Sequence, residues 1–185
     1  MQFLDYDPSD IDVRVSELLV ATSDAVEPLV HPNVSEALAI FREHLNMDVV
    51  FVSQIQDGRR TFRVVESKPG KTLLQVGHSD PVEESWCQHV VSGRLPQYMA
   101  DAGPFIERGD APTPAFPIGT HLSTPILLGD GSVYGTLCCF SQVVENKVGE
   151  SDLQRLRTVA RLLAEKLGTS KRKELQLQPL DARHR

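Results

Sequence analysis

The chain has 185 residues, of which 41% are hydrophobic and 24% are charged, and its formal net charge is -6. This length allows one domain with a sizeable core, and the acidic balance argues against binding to nucleic acid or to an anionic membrane surface. Three cysteines cannot all pair within one chain, so we expect reduced thiols and a cytoplasmic protein. We expect neither export nor a membrane anchor, because the acidic start lacks signal-peptide features and no apolar stretch approaches the ~20 residues that span a membrane.

Two helices are predicted ahead of the first strand. Apolar residues recur at helical spacing over 9–28 and again over 33–45, so each segment would present one apolar face. Asn33 and Glu36 stand three residues apart directly after Pro32, which is the spacing of a capping box. We therefore expect the second helix to begin at this box.

An antiparallel hairpin is predicted next. β-branched residues dominate 48–55 and 61–67, and Asp57-Gly58 lies between these two segments. Two such segments around an Asp-Gly turn are typical of paired strands. A further short strand is expected over 72–76.

A helix, a short strand and a long loop should follow. In the stretch DPVEESWCQHVVSG, Asp80 is the expected N-cap, Pro81 fits the first helical position, and Gly93 ends the helix. A brief strand within 95–102 then runs into 103–119, which is rich in proline and glycine. Long segments of this kind often serve as lids or binding loops.

The last part of the chain predicts a second hairpin and a terminal helix. The strands cover 120–128 and 132–141 around a Gly-Asp-Gly turn, and the amphipathic helix covers 149–168. The polar residues 169–185 are expected to form a frayed tail or a linker after a single domain over 1–168. Hairpin-linked strands give an antiparallel sheet, so the fold class is α+β, with terminal helices on one face and the middle helix and long loop on the other.

Three stretches give the chain a family resemblance: ESWCQHVVSGRLPQYMADA, IGTHLSTPILLGDG and VYGTLCCFS. In this order and at these spacings they resemble the GAF domain, a small-molecule sensor module of bacterial signalling proteins, over residues 10–168. The resemblance implies a PAS-related fold and a non-enzymatic regulatory function, with a ligand between the sheet and the 100–119 loop. It also implies a homodimer through the terminal helices, and an output domain or a partner kinase or cyclase. The resemblance names neither a particular ligand nor a cofactor.

The GAF arrangement also implies which side chains meet the ligand. Side chains alternate along a strand, so Thr136, Cys138 and Phe140 share the face that the resemblance assigns to the pocket, while Leu137 and Cys139 share the face that packs on helices. The predicted ligand-binding residues are Phe51, Ser53, Cys87, Val91, Asp101, Phe105, His121, Ser123, Thr136, Cys138 and Phe140.

Several of these residues also have a purely structural interpretation. Free cysteine is commonly buried, so Cys87 is interpreted as a small core residue. Cys138 with His121 offers two metal ligands, whereas a structural zinc site needs four, so packing plus a ligand hydrogen bond is favoured. Asp101 suits a local turn cap better than contact with a ligand amine, and Phe105 suits a loop anchor. We predict no catalytic residue and no metal site.

Two GAF-like activities and one ligand-free role are the alternatives. A GAF-like family that reduces free methionine sulfoxide carries cysteines on its pocket loops, but no cysteine occurs between residues 88 and 137 here. Bilin-binding GAF domains usually attach the chromophore through a cysteine followed directly by histidine, whereas Gln88 separates Cys87 from His89. The third alternative is a ligand-free dimerisation or protein-interaction scaffold.

Overall fold

A computed structural model describes residues 8–21 and 27–177 of the chain. Two short 3₁₀ turns, Pro28–Val30 and Val82–Glu84, accompany its helices and strands. In chain order these are helix α1 (Pro8–Val20), helix α2 (Pro32–His44), strands β1 (Val49–Gln56), β2 (Arg59–Ser67) and β3 (Ser79–Pro81), helix α3 (Trp86–Val91), strand β4 (Tyr98–Met99), helix α4 (Gly103–Glu107), strands β5 (His121–Leu127) and β6 (Val133–Phe140), and helix α5 (Glu150–Leu177).

The strands form one antiparallel sheet in the order β3-β2-β1-β6-β5-β4. Its main hydrophobic core lies between one sheet face and helices α1, α2 and α5. Helix α3 packs against β5 and β6, and the loop residues Phe116 and Ile118 pack with the apolar side chains of the other sheet face. The predicted α+β class and its two-faced arrangement are confirmed.

Alternation along β6 follows the prediction. Leu137 and Cys139 are buried in the helix-side core, whereas Cys138 and Phe140 belong to the cluster on the opposite face. β6 pairs with both β1 and β5, so its side chains reach the centre of the molecule on both faces.

A β-bulge interrupts the pairing of β1 with β2. Val52 pairs with Val64, but the next residue, Ser53, pairs with Phe62, so Arg63 is the extra residue. Val64 accordingly packs in the helix-side core, while Phe62 packs on the opposite face. Without the bulge, Phe62 and Val64 would share one face.

The N-terminal helices differ from prediction at their ends. Helix α1 ends at Val20 rather than at residue 28, where a 3₁₀ turn begins, and residues 22–26 of the predicted helix lie outside the described residues. The predicted capping box at Asn33 is wrong. The N-cap is His31, whose Nδ1 accepts from the Asn33 backbone N–H at 3.1 Å, because Pro32 takes the first helical position.

The segment before α3 also differs from prediction. Residues 72–76 form no strand. Leu73 and Leu74 pack instead against the apolar side chains on the sheet face opposite α1, α2 and α5. Asp80 is not an N-cap, because it lies in the short strand β3 and its carboxylate pairs with Arg60 of the neighbouring strand β2. Helix α3 begins later, with the Ser85 hydroxyl accepting from the Gln88 backbone N–H at 3.2 Å.

The later elements are longer or more regular than expected. Helix α4 occupies the start of the predicted 103–119 loop, and α5 continues beyond Gly168 to Leu177, so the predicted fraying after Gly168 is wrong for this stretch. The domain boundary at residue 168 stays a prediction. In the part of the chain described, no helix combines the length and apolar character needed to cross a membrane.

Gly135 lies where β6 approaches β1 closely, so a substitution there tests the packing of the two strands. A Cβ atom at Gly135 would lie 1.8 Å from the Ser53 carbonyl oxygen, so Gly135→Ala must move backbone in the centre of the sheet. We expect a loss of at least about 2 kcal/mol in the free energy of unfolding, measured with urea. Gly129→Ala in the hairpin turn is the control, because its Cβ would meet nothing within 4 Å. Equal stability of the two variants would contradict this packing.

Candidate functional site

A cavity of about 530 Å³ lies on the sheet face opposite α1, α2 and α5. The sheet, the residues before α3 and the loop segment 112–118 surround it. Its volume falls in the range of small-molecule sites, which are mostly apolar with a few placed polar groups. Five aromatic side chains supply much of its wall: Phe51, Phe62, Trp86, Phe116 and Phe140.

The aromatic wall joins the loop to the sheet. Phe116 of the loop stacks on Phe140 of β6, with ring centroids 5.4 Å apart and an interplanar angle of 14°. Phe51 meets Phe62 edge to face at 5.1 Å. The Trp86 indole donates from Nε1 to the Pro112 carbonyl at 2.8 Å, which holds the start of the loop segment to α3.

His121 is a buried polar residue of the cavity wall. It is 3% exposed, and its ring meets the edge of Trp86 at 5.1 Å. Burial, together with the charge of Arg60, lowers the pKa of His121 from 6.5 to about 4, so the imidazole is neutral at physiological pH. Within residues 8–21 and 27–177, its Nδ1 has no hydrogen-bond partner. An unpaired buried nitrogen is costly, and a ligand would satisfy it.

Arg60 places a fixed positive charge in the wall. Its guanidinium donates from Nε to the Asp80 carboxylate at 2.9 Å and from Nη1 to the Cys87 sulfur at 3.5 Å. It also lies over the Phe62 ring, 4.8 Å from the centroid. These three contacts hold the guanidinium in one orientation.

A buried polar cluster forms the floor under the cavity. The Ser53 and Thr136 hydroxyls are hydrogen-bonded at 2.8 Å, and the Ser123 hydroxyl meets the Cys138 sulfur at 2.8 Å. The Cys138 thiol also donates to Thr136 Oγ1 at 3.3 Å. Because these groups satisfy one another, they position the floor without needing a ligand.

The structure also brings Cys87 and Cys138 together, with 3.6 Å between their sulfur atoms. The sequence interpretation treated these residues separately, because no pattern links position 87 to position 138. Within 8–21 and 27–177, no three or more His, Cys, Asp or Glu side chains cluster in a way that could hold a metal ion.

Eight of the predicted ligand-binding residues lie in or directly under the cavity wall. Ser53, Ser123, Thr136 and Cys138 belong to the buried floor. Their role in binding stays a prediction. The four that line the cavity itself are Phe51, Cys87, His121 and Phe140.

Three predicted residues lie away from the cavity. Asp101 is exposed, and its carboxylate accepts from the Gly103 backbone N–H at 2.9 Å. This is the local turn-capping contact that the sequence favoured for Asp101. Phe105 packs in the cluster around α3 and α4, under the Arg108 guanidinium at 5.0 Å. Val91, the last residue of α3, does not line the cavity. These three residues do not line this cavity, and their assignment to ligand binding stays a prediction.

Sequence reasoning missed several wall residues. Arg60 and Phe62 face the cavity because of the bulge at Arg63, which strand alternation alone does not reveal. Trp86 also lines the cavity and was not among the predicted ligand-binding residues. Phe116 could have been predicted as a wall residue, because it is an aromatic residue within a proline-rich loop segment.

The profile of the GAF domain family matches residues 34–167, which is more than half of the chain. The chain belongs to the GAF domain family. No curated protein sequence matches it significantly.

Solved GAF structures share the fold at low sequence identity. The GAF domain of an Acinetobacter phosphoenolpyruvate-protein phosphotransferase is 14% identical, with a TM-score of 0.67 and coverage of 98% of this chain and 100% of that one. Free methionine-R-sulfoxide reductase from Neisseria meningitidis, solved with its substrate, is 14% identical, with a TM-score of 0.70 and coverage of 94% and 98%. A phycoerythrobilin-bound GAF domain from a cyanobacterial phytochrome is 11% identical, with a TM-score of 0.66 and coverage of 92% and 100%.

The buried neutral state of His121 predicts a pH dependence of stability. The folded-state pKa of about 4 lies below the ordinary 6.5, so the unfolded chain binds this proton more tightly. The contribution of neutral His121 to the free energy of unfolding is therefore present above pH 6.5 and is lost as the pH falls toward 4. Between about pH 7 and pH 4.5, the protein should lose roughly 2.5 kcal/mol more unfolding free energy than His121→Leu. Urea unfolding at both pH values measures this, and equal losses would contradict the neutral state.

Proposed function

We propose that this GAF domain is a regulatory domain of bacterial signal transduction that senses a small molecule bound between the sheet and the loop segment 112–118. The proposal rests on His121 Nδ1, a buried nitrogen that has no hydrogen-bond partner in the part of the chain that the structure describes, on a residue that lines an aromatic cavity. Polar atoms in such positions are generally satisfied, so this nitrogen calls for a hydrogen-bonding ligand.

The wall indicates the chemistry of this ligand. Five aromatic rings favour a flat, mainly apolar group, since rings pack best against rings and apolar edges. His121 is neutral and therefore suits an uncharged hydrogen-bonding group rather than a carboxylate. The Arg60 guanidinium already donates to the Asp80 carboxylate. It therefore gives the wall a positive charge, but it does not offer a pair of free N–H groups to an anionic ligand.

The site is connected to the terminal helix through one strand. His121 is the first residue of β5, and α5 packs against β5 on the other face of the sheet. The preceding residue, Thr120, accepts from the Glu145 backbone N–H at 2.8 Å, close to the start of α5. A ligand that favours one position of β5 would therefore shift α5, but only to the extent of its preference between the two arrangements.

We infer that the domain is not an enzyme. Its cavity contains no cysteine on the 112–118 loop, and Cys87 and Cys138 lie on α3 and β6. A sulfoxide reductase of the GAF-like type would need loop cysteines that an external thiol can reach. Release of methionine from free methionine sulfoxide would contradict this inference.

We also propose that the domain works as a cytoplasmic homodimer through its terminal helices, alongside an output domain or a partner kinase or cyclase. The inward stripe of α1, including Ile11 and Val15, is buried against the core and is not available for pairing. The outer surface of α1 carries the apolar residues that would pair. Val13 and Val20 are 55% and 57% exposed and line one shallow groove.

Native mass spectrometry tests the ligand proposal. Protein purified from bacterial cells should carry a small molecule that is lost on denaturation. His121→Leu should retain about tenfold less of it, because one buried hydrogen bond is worth about 1.4 kcal/mol. His44→Leu is the matched control, since His44 lies at the end of α2, away from the cavity.

The opposite result has a clear meaning. A wild-type domain that stays bare, even after incubation with the small-molecule fraction of a cell extract, would favour the ligand-free scaffold alternative. A mass that survives denaturation would indicate a covalent chromophore instead.

Analytical ultracentrifugation tests the dimer. A Val13→Glu, Val20→Glu double variant should sediment as a monomer under conditions in which the parent protein is a dimer, because two charges would enter the apolar groove. Val143→Glu is the control, since Val143 is also exposed but lies outside the helices. Parent protein that is monomeric at high micromolar concentration would contradict the proposal.

A further inference from the structure

Two thiols meet at the edge of the cavity. Cys87 on α3 and Cys138 on β6 are 51 residues apart in sequence, yet their sulfur atoms are 3.6 Å apart. A disulfide has a sulfur–sulfur distance of about 2.05 Å, so a movement of about 1.5 Å would join these residues. We refer to Cys87 and Cys138 as the thiol pair.

The two members of the thiol pair have opposite electrostatic surroundings. The hydrogen bond with Cys138 lowers the pKa of Cys87 well below its ordinary value, helped by the charge of Arg60 and opposed by burial. Burial and the contact with Cys87 raise the pKa of Cys138. The thiolate is the reactive form of cysteine, so Cys87 is the nucleophile of the pair and Cys138 is the protonated neighbour.

Access to the pair runs through the cavity. Cys87 and Arg60 both line the cavity, whereas Cys138 lies in the floor beneath it. Cys87 is only 1% exposed, so a bulky reagent would be excluded, while a molecule as small as hydrogen peroxide would fit. The third cysteine, Cys139, faces the helix-side core and takes no part.

We propose that the thiol pair is a redox site that a small hydroperoxide oxidises to a disulfide. The Cys87 thiolate attacks one peroxide oxygen, the O–O bond breaks, and the leaving hydroxide takes up a proton to form water. Cys87 is then a sulfenic acid. The Cys138 sulfur attacks the Cys87 sulfur, its proton leaves with the hydroxyl group as a second water, and the S–S bond forms. Two thiols thus lose two electrons and the peroxide gains them; a dithiol reductant reverses the reaction.

Oxidation would change the cavity directly. The disulfide would join α3 to β6 covalently and remove the thiolate that faces Arg60. Arg60 would then keep its contacts with the Asp80 carboxylate and the Phe62 ring. The cavity wall would therefore differ between reduced and oxidised protein whether or not the cavity binds a ligand.

Peptide mass spectrometry of the peroxide-treated full chain tests the proposal. The folded, reduced protein is treated with a small excess of hydrogen peroxide, alkylated with N-ethylmaleimide and digested with trypsin. Cys87 lies in tryptic peptide 72–94, while Cys138 and Cys139 share peptide 109–147. We expect these two peptides to become linked, with a mass two hydrogen atoms below their reduced sum plus one N-ethylmaleimide on the cysteine left free, and dithiothreitol to separate them.

Three variants identify the sulfur atoms. Cys139→Ala should form the link as fast as the wild type, which assigns it to Cys138. Cys138→Ser should stop at a Cys87 sulfenic acid, which dimedone traps when the protein is unfolded in its presence. Cys87→Ser should lose free thiols at least about tenfold more slowly than the wild type, because it lacks the activated thiolate.

Other outcomes would overturn the proposal. These are Cys87 remaining reduced in the folded wild-type protein at peroxide concentrations that oxidise a free thiol, or a link that disappears in Cys139→Ala. The wild-type measurement is decisive on its own if a variant fails to fold, and the circular dichroism spectrum of each variant shows whether it folds.

Discussion

The bulge between β1 and β2 determines which side chains of β2 line the cavity. It places Arg63 as an unpaired residue, so Phe62 and Arg60 turn toward the cavity while Val64 remains in the helix-side core. In an uninterrupted strand the side chain of Arg60 would share a face with Val64, where a buried charge would be costly without a partner. The bulge therefore combines an intact core on one face with a charged, aromatic wall on the other.

Arg60 adds its charge to the environment of two neighbouring groups. Burial and, after it, the charge of Arg60 keep His121 neutral, while the hydrogen bond with Cys138 and, after it, the charge of Arg60 lower the pKa of Cys87. The Asp80 carboxylate holds the guanidinium in place. Ligand binding at His121 and oxidation at Cys87 would both act on this one guanidinium. The proposed sensing of a small molecule and of peroxide would thus share an electrostatic centre.

The sequence predicted features that depend on local pattern and missed those that depend on distant contacts. Period-two alternation was sufficient to divide Cys138 from Cys139 between the two faces, because β6 is central and regular. Asp80 has the local pattern of a helix cap, but its pairing with Arg60 across β3 overrides that pattern. The contact between Cys87 and Cys138 arises only when α3 packs on β6, so no sequence spacing could reveal it.

Binding of a small molecule in the cavity between the sheet and the loop segment 112–118, as proposed, can be measured directly. Trp86 is the single tryptophan of the chain and lines this cavity, so its fluorescence reports occupancy without a label. The measurement is a titration of protein that has been unfolded, dialysed and refolded, with the small-molecule fraction of a bacterial extract. We expect a saturable change in Trp86 emission that is largely lost in His121→Leu. An emission spectrum that stays constant throughout the titration, or that changes equally in His121→Leu, would contradict it.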